Sequence, residues 1–386
     1  MPPAIPPENR PHRGTSGLAA RLPVLRPVLT RWYGAGHRNL PWRTTSDPYR
    51  VWLSEIMLQQ TQVVTVLRYF EPFMERFPHV EALARAREED VLKAWEGLGY
   101  YRRARNLIPA AKAVVELGSW PKDVKGLMEL PGVGRSTAGA IASFAFGARA
   151  PILDGNVRRV WWRLGALRRG RASDDPHLWA LSEAILAEGD PALTNQALME
   201  LGATLCTPRT PQCRICPLSG HCAAFCSGHP EAFPPPKAPR AKPLVNVSVA
   251  IILKSGRLLV TRRPSEGLLG GLWELPGGKW EEGEGALQAL RREMAEELGV
   301  AVRVAAAFGP VSHAYTHFAV LLHPFLCTLP AGQEPATPLP MRWIRPEEAH
   351  QLAFPRGTRK VFDRVLGGDL RAAEETGSWK DGPGSP

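Results

Sequence analysis

Six prolines fall within the sixteen residues "GHPEAFPPPKAPRAKP" (228–243), a density that excludes regular helix and central strand and divides the chain in two. Before this break the apolar residues recur at helical spacing. "DPYRVWLSEIMLQQTQVVTVLRYFEPFMERF" opens with Asp47 as an N-cap ahead of Pro48, and segments 81–95, 102–117, 136–147, 156–164 and 192–205 repeat the helical pattern. After the break the period changes to two. "VNVSVAIILKSGRLLVTRR" predicts a β-hairpin turning at Ser255–Gly256, and "VAVRVAAAF" and "FAVLLHPFLCTL" predict further strands around one helix. The expected organisation is a multidomain chain: a flexible Pro-rich tail (1–20), an all-α unit (21–227), a linker (228–243), an α/β unit (244–368) and a polar tail (369–386).

A chain of 386 residues can bury two or three separate cores. No stretch approaches the ~18 consecutive apolar residues of a membrane span, and the first residues lack the apolar core of a secretory signal. A cytoplasmic, membrane-free, monomeric protein is expected. The 48 basic against 37 acidic residues give a net charge of +11, which favours an acidic partner such as nucleic acid.

Five of the six cysteines lie between 206 and 226. Cys206, Cys213, Cys216 and Cys222 are spaced C-x6-C-x2-C-x5-C, with Pro208, Pro211 and Pro217 holding the loop open, and so many thiols in one loop point to a metal centre. Zinc would satisfy the ligand count as well as iron would. Upstream, Gly132 and Gly134 in "LPGVGRSTAGAIASFAFG" permit a sharp turn into a helix whose free N–H groups suit a DNA phosphate. Two carboxylates also stand out. Glu55 lies within "VWLSEIML", where apolar neighbours favour its protonated form, whereas Asp154 precedes a helix start that favours charge. Taken alone, each could be a surface glutamate or a simple helix cap.

The turn at 130–147, preceded by "VKGLMEL", matches the helix-hairpin-helix motif of DNA repair proteins. Together with "LPWR" (40–43), "SEIMLQQTQV" (54–63), "GLGYYRRARNL" (97–107), "LDGNVRRV" (153–160), "NQALMELGA" (195–203) and the cysteine loop, it makes residues 21–368 resemble the MutY family of adenine DNA glycosylases, in the endonuclease III superfamily. The resemblance implies a [4Fe-4S] cluster on the four cysteines and a double-stranded DNA substrate bearing adenine opposite 8-oxoguanine. It assigns Glu55 as general acid at the adenine and Asp154 as stabiliser or transient nucleophile at the sugar. Trp42, Arg43 and Gln196 fall to the adenine pocket, and Gln60 and Tyr100 to the wedge that fills the gap left by the flipped base. Arg102, Arg103, Arg105, Arg158 and Arg159 are candidates for phosphate contacts. Relatives that also cut the strand carry a lysine at the position of Ser136; a hydroxyl forms no imine, so base removal without strand cleavage is expected.

In this family the C-terminal domain resembles the nucleotide hydrolase MutT and senses 8-oxoguanine through a Phe-Ser-His loop, which here reads Tyr315, Thr316, His317. The aromatic face and the hydroxyl are both retained. "GGKWEEGEGALQALRREMAEELGV" (277–300) departs from the family by fitting the complete Nudix signature, from Gly278 through Glu284, Arg292, Glu293, Glu296, Glu297 and Gly299 to Val300. Glu293, Glu296 and Glu297 share one helix face and could ligate Mg²⁺ on a diphosphate; alternatively, the box is a remnant that supports the fold. Two other readings compete: a pyrimidine-directed glycosylase and lyase of the endonuclease III type, and a non-catalytic DNA-binding module that delivers a Nudix hydrolase.

Overall fold

The computed structural model describes residues 14–167, 175–235, 241–315 and 317–365. Helices run along the first part as α1 (Thr15–Ala19), α2 (Leu22–Ala35), α3 (Pro48–Leu58), α4 (Val63–Arg76), α5 (Val80–Ala84), α6 (Glu88–Ala94), α7 (Arg102–Leu117), α8 (Val124–Met128), α9 (Arg135–Phe146), α10 (Gly155–Leu164), α11 (Asp175–Ala184), α12 (Pro191–Thr204) and α13 (Ala223–Cys226). The chain divides into two compact units, Met1–Arg85 with Asn106–Pro239 and Ala86–Arg105 with Arg240–Pro386. No helix among the described residues is long and apolar enough to cross a membrane.

In the first unit, side chains that accept from exposed backbone N–H groups set the helix starts. Asp47 accepts from Tyr49 N at 3.0 Å, Asp123 from Gly126 N at 2.8 Å and Asp190 from Ala192 N at 2.8 Å. Leu22, Leu25, Leu29 and Tyr33 form the stripe of α2 that packs with Val157, Val160 and Trp161 of α10 and Leu198 and Leu201 of α12. The expected tail through residue 20 is corrected at its end: α1 is helical and its Leu18 is fully buried in this core. Residues 1–13 lie outside the described residues, as do 236–240 of the linker and the tail from 366.

Among the described residues the second unit is built on an eight-stranded sheet. Its strands are β1 (Leu244–Lys254), β2 (Arg257–Arg262), β3 (Trp273–Glu274), β4 (Gly277–Lys279), β5 (Arg303–Ala307), β6 (Val311–Ala314), β7 (Ala319–Thr328) and β8 (Met341–Ile344), with α14 (Ala286–Leu298) and α15 (Arg356–Val365). The path is β3-β2-β1-β7-β5, while β4 pairs with β1, β6 with β7 and β8 with β2. β1 and β7 run parallel from Leu244 opposite Ala319 to Ile252 opposite Cys327. Ser255 and Gly256, both at positive φ, close the expected hairpin between β1 and β2. Alternation then sorts the core. Ala250, Ile252 and Leu259 face Leu290, Met294 and Leu298 of α14, whereas Val249, Ile251 and Val260 face the side covered by Val361, Phe362 and Val365 of α15.

Two expectations about the helical half need correction. Segment 81–95 is two helices, α5 and α6, because the chain leaves helical geometry between them. Residues 86–105 pack with the second unit: Glu88 pairs with Arg262, Glu89 with Arg342, and the Trp273 indole donates to Glu89 at 2.9 Å.

Candidate active site and DNA-binding elements

Asp154 caps α10. Its Oδ1 accepts from Asn156 N at 3.0 Å and Val157 N at 2.7 Å, and its Oδ2 accepts from Asn156 Nδ2 at 3.1 Å. Burial pushes this carboxyl above its ordinary range, against the pull of those bonds. Glu55, on α3, accepts no hydrogen bond among the described residues. Burial, and secondarily the charge of Asp154, push its carboxyl up to about 8, with Arg43 pulling the other way. Both carboxyls are thus raised, but only Asp154 has donors aimed at it, so Glu55 is the one that holds a proton near neutral pH. Ser136 Oγ accepts from the backbone N–H of Leu153, the residue before Asp154, at 3.2 Å.

The expected adenine-pocket residues separate into two groups. Trp42 is buried with its ring edge-on to Phe70 at 5.2 Å, a core contact. Arg43 and Gln196 belong to a polar network that the sequence reading missed. Tyr33 donates to Gln196 Oε1 at 2.8 Å, the Arg43 guanidinium lies over the Tyr33 ring at 5.6 Å, and Arg43 and Arg38 each donate to Glu200 at 2.7 Å. Glu200 is 2% exposed. Burial would raise its carboxyl, but the two guanidinium groups outweigh burial and hold it down at about 2. Among the described residues, Arg43 Nη1 is buried without a partner. Glu200 within the apolar run "NQALMELGA" carries the same signal as Glu55, a lone acid among apolar residues.

At the hairpin, Gly132 has φ +82° and a Cβ there would press on the Asn106 side chain at 2.9 Å, so turn geometry and packing both demand glycine. Gly134 is the N-cap of α9, and the space around it is open. Gln59 Nε2 donates to Thr137 Oγ1 at 3.1 Å, tying α3 to the first turn of α9. The two expected wedge residues share an unusual backbone: Gln60 has φ 57° and Tyr100 φ 49°, and both are exposed. Side chains other than glycine enter that region at a cost of about 1–2 kcal/mol. The arginines expected at phosphates are mostly tied up internally. Arg103 donates to the Leu98 and Gly99 carbonyls, Arg105 to the Gly270 carbonyl and Arg159 to the Gly202 and Cys206 carbonyls, while Arg158 pairs with Asp175; Arg102 stays exposed.

Cys206, Cys213, Cys216 and Cys222 line one cavity closed by Val160, Leu164, Leu201, Leu205, Leu218 and Phe225. Buried Arg163 secures the loop by donating to the carbonyls of Thr207 at 2.7 Å, Pro208 at 2.9 Å and Phe233 at 2.9 Å, and to Cys206 Sγ at 3.4 Å. Burial pushes the Cys216 and Cys222 thiols up to about 12, so a group that needs thiolates there must bring compensating positive charge. No three His, Cys, Asp or Glu side chains among the described residues converge closely enough to hold a metal ion.

In the second unit the box carboxylates are engaged with the protein itself. Arg292 donates to Glu284 at 2.8 and 3.0 Å, to Glu293 at 2.9 Å, to Glu296 at 3.0 Å and to the Lys279 carbonyl at 2.8 Å. Glu297 accepts from Gly277 N at 3.1 Å, and a Cβ on Gly278 would collide with the Glu293 carboxylate. Glu274 joins this group, pushed by burial up to about 7. Tyr315 stacks on Phe318 at 4.8 Å and meets His313 edge-on at 4.6 Å; His317 is exposed, and Thr316 lies outside the described residues.

Residues 53–177, which contain both Glu55 and Asp154, match the model of the HhH-GPD superfamily base excision DNA repair proteins, and residues 248–364 match the NUDIX domain. A solved thermostable thymine-DNA glycosylase superposes with TM-score 0.50 at 28% identity, covering 54% of this chain and 98% of its own. The adenine DNA glycosylase of Homo sapiens is 35% identical, covering 89% of this chain and 74% of that protein. That of Buchnera aphidicola subsp. Acyrthosiphon pisum (strain APS) is 30% identical over 88% of this chain and 97% of its own. A helix-hairpin-helix glycosylase region, a following Nudix-fold sheet and relatives alike across nearly the whole chain make this protein a member of the adenine DNA glycosylase family.

Proposed function

We propose that the protein removes adenine paired with 8-oxoguanine from duplex DNA by hydrolysing the N-glycosidic bond, without cutting the strand. The observation that carries this reading is the unequal pair of carboxyls. With its carboxyl held near 8, Glu55 carries a proton at neutral pH and donates it to the base as the bond to deoxyribose breaks. The bonding electrons leave with the protonated base, and the sugar becomes cationic. Asp154, fixed by its donors from Asn156 and Val157, presents negative charge to that cation until water adds. Arg43 and Gln196 would orient the flipped adenine, while Gln60 and Tyr100 would fill the space it leaves. Ser136 supplies no amine, so the opened sugar is not captured and no β-elimination follows.

The four cysteines fit a [4Fe-4S] cluster. A single ion would draw them closer together, whereas a four-iron core spreads its thiolates and carries the positive charge that such buried sulfurs need. When bound, the cluster would tie the loop between α12 and α13 together. For Mg²⁺ at the Nudix box the residues do not fit as they stand: Arg292 holds one oxygen each of Glu293 and Glu296, the Gly277 N–H holds one of Glu297, and no set of three among the described residues converges. The second unit is therefore proposed as the lesion reader, through Tyr315, Thr316 and His317.

Glu55→Gln and Asp154→Asn should each slow adenine release by about 10²-fold or more while duplex affinity is retained. Release should be faster opposite 8-oxoguanine than opposite guanine, and Tyr315→Ala should narrow that difference. Strand breaks formed at the rate of base loss, without heat or alkali, would contradict the non-lyase assignment. Unchanged release by Glu55→Gln would remove the mechanism.

A further inference from the structure

The loop that carries Tyr100 is short and demanding. Gly97, Gly99 and Tyr100 have φ of 102°, 73° and 49°, three left-handed residues within four positions. Such a run holds its shape only when both ends are fixed. On the downstream side, Arg103 donates to the Leu98 carbonyl at 3.3 Å and the Gly99 carbonyl at 3.1 Å, and its guanidinium lies 5.1 Å from the Trp95 ring and 5.6 Å from the Tyr100 ring. The Trp95 indole donates to the same Gly99 carbonyl at 3.1 Å.

The upstream side is fixed from far along the chain. Glu96 Oε1 accepts from Arg359 Nε at 2.6 Å and from Phe354 N at 3.2 Å, and Oε2 accepts from Arg359 Nη2 at 3.2 Å and from Lys93. Arg359 is itself immobilised: it donates to the Ala349 carbonyl at 2.9 Å and to the Leu352 carbonyl, and lies 4.9 Å from the Phe354 ring. This two-point Arg–carboxylate clasp is largely shielded, with side chains 22% and 16% exposed, so it is less screened than a surface pair.

We propose that Arg359, a residue of the Nudix-fold unit, is a positioning residue for Tyr100: by clasping Glu96 it fixes the upstream end of the loop that presents the wedge to DNA. This rests on the reading of Tyr100 as the wedge. Arg359 touches neither DNA nor the reacting atoms in this role. The unit that reads the lesion would thereby also set how well the helical half opens the opposite base. The remaining anchors of the segment, Glu88 with Arg262 and Glu89 with Arg342, do not depend on Arg359, so its removal should loosen the loop without detaching the segment.

The test uses the full chain with its cluster and a duplex carrying 2-aminopurine at the target position, whose fluorescence rises on unstacking, alongside single-turnover release of adenine. Arg359→Ala should lower both the fluorescence rise and the release rate by about tenfold, a change of ~1.4 kcal/mol. Duplex affinity should hold within about threefold, and Arg359→Lys should restore part of the loss, since one donor can still reach Glu96. Tyr100→Ala should show the same unstacking defect, and the double variant should be no worse than Tyr100→Ala. Wild-type unstacking in Arg359→Ala beside a defective Tyr100→Ala overturns the proposal and leaves the wedge reading intact. Normal unstacking in Tyr100→Ala overturns the wedge reading, and this proposal with it. Multiplied defects in the double variant place Arg359 on a separate path and also overturn the proposal. Should Arg359→Ala fail to fold, Arg359→Lys decides alone: a partial unstacking defect supports the clasp, and wild-type behaviour refutes it.

Discussion

Replacing Glu55 by glutamine keeps the shape of the side chain and removes its proton equilibrium, so it separates catalysis from folding. A carboxyl moved from 4.5 to about 8 disfavours its charged form by about 5 kcal/mol. Because the folded-state value is raised, the native protein binds a proton that the unfolded chain has released between those two pH values. Stability from this group is therefore complete below about 4.5 and declines as pH rises, by about 1.4 kcal/mol per pH unit, until about 8. Glutamine has no such slope. Urea unfolding of wild type and Glu55→Gln, followed in parallel by tryptophan fluorescence at pH 5, 6.5 and 8, should show the variant gaining on wild type by about 4 kcal/mol over that range. Single-turnover adenine release should meanwhile fall by about 10²–10⁴, the usual contribution of a general acid. A stability difference that does not change with pH would refute the claim that Glu55 is a partly buried, proton-holding acid, whatever the kinetics show.

Glu200 should behave in the opposite sense. Its carboxyl is held at about 2 by Arg38 and Arg43, so its stabilisation is present above about 4.5 and disappears as pH falls toward 2; Glu200→Gln should cost about 3–5 kcal/mol at pH 7 in unfolding experiments and weaken adenine release. The purified holoprotein should absorb broadly in the visible with about four irons per chain, and Cys222→Ser should lose that absorbance; colourless protein with stoichiometric zinc after anaerobic preparation would exclude the cluster. Incubation with 8-oxo-dGTP and Mg²⁺ should release no pyrophosphate, because Arg292 engages the box carboxylates; release that disappears in Glu296→Gln would show that those carboxylates can let go of Arg292 and bind metal.

Periodicity revealed most of the architecture. The helix begun by Asp47 and the hairpin turning at Ser255–Gly256 are local signals, and local signals survive folding. The site was legible wherever one residue had no satisfying local role, as for Glu55 in an apolar helix. It was obscured where function is distributed over distant partners. Glu200 acquires its meaning from Arg38 and Arg43, about 160 residues earlier, and nothing in its neighbourhood announces them. Arg103 and Arg105 of "GLGYYRRARNL" show the converse, since their positive charge suggested DNA while their partners are backbone carbonyls of the protein itself. The box at 277–300 met a signature in letters, yet its behaviour depends on where one guanidinium points.

The union of residues 86–105 with the C-terminal sheet has a consequence for biosynthesis. Glu96 and Arg359 are separated by 263 residues, so at about 5–20 residues per second they leave the ribosome about 13–50 s apart. For that interval the segment bearing Tyr100 has been made and its anchor has not. A nascent chain must therefore hold this stretch without its partner sheet until the C-terminal half has been made. A message truncated between codons 228 and 358 would yield a helical half with both carboxyls encoded and the Glu96 clasp missing.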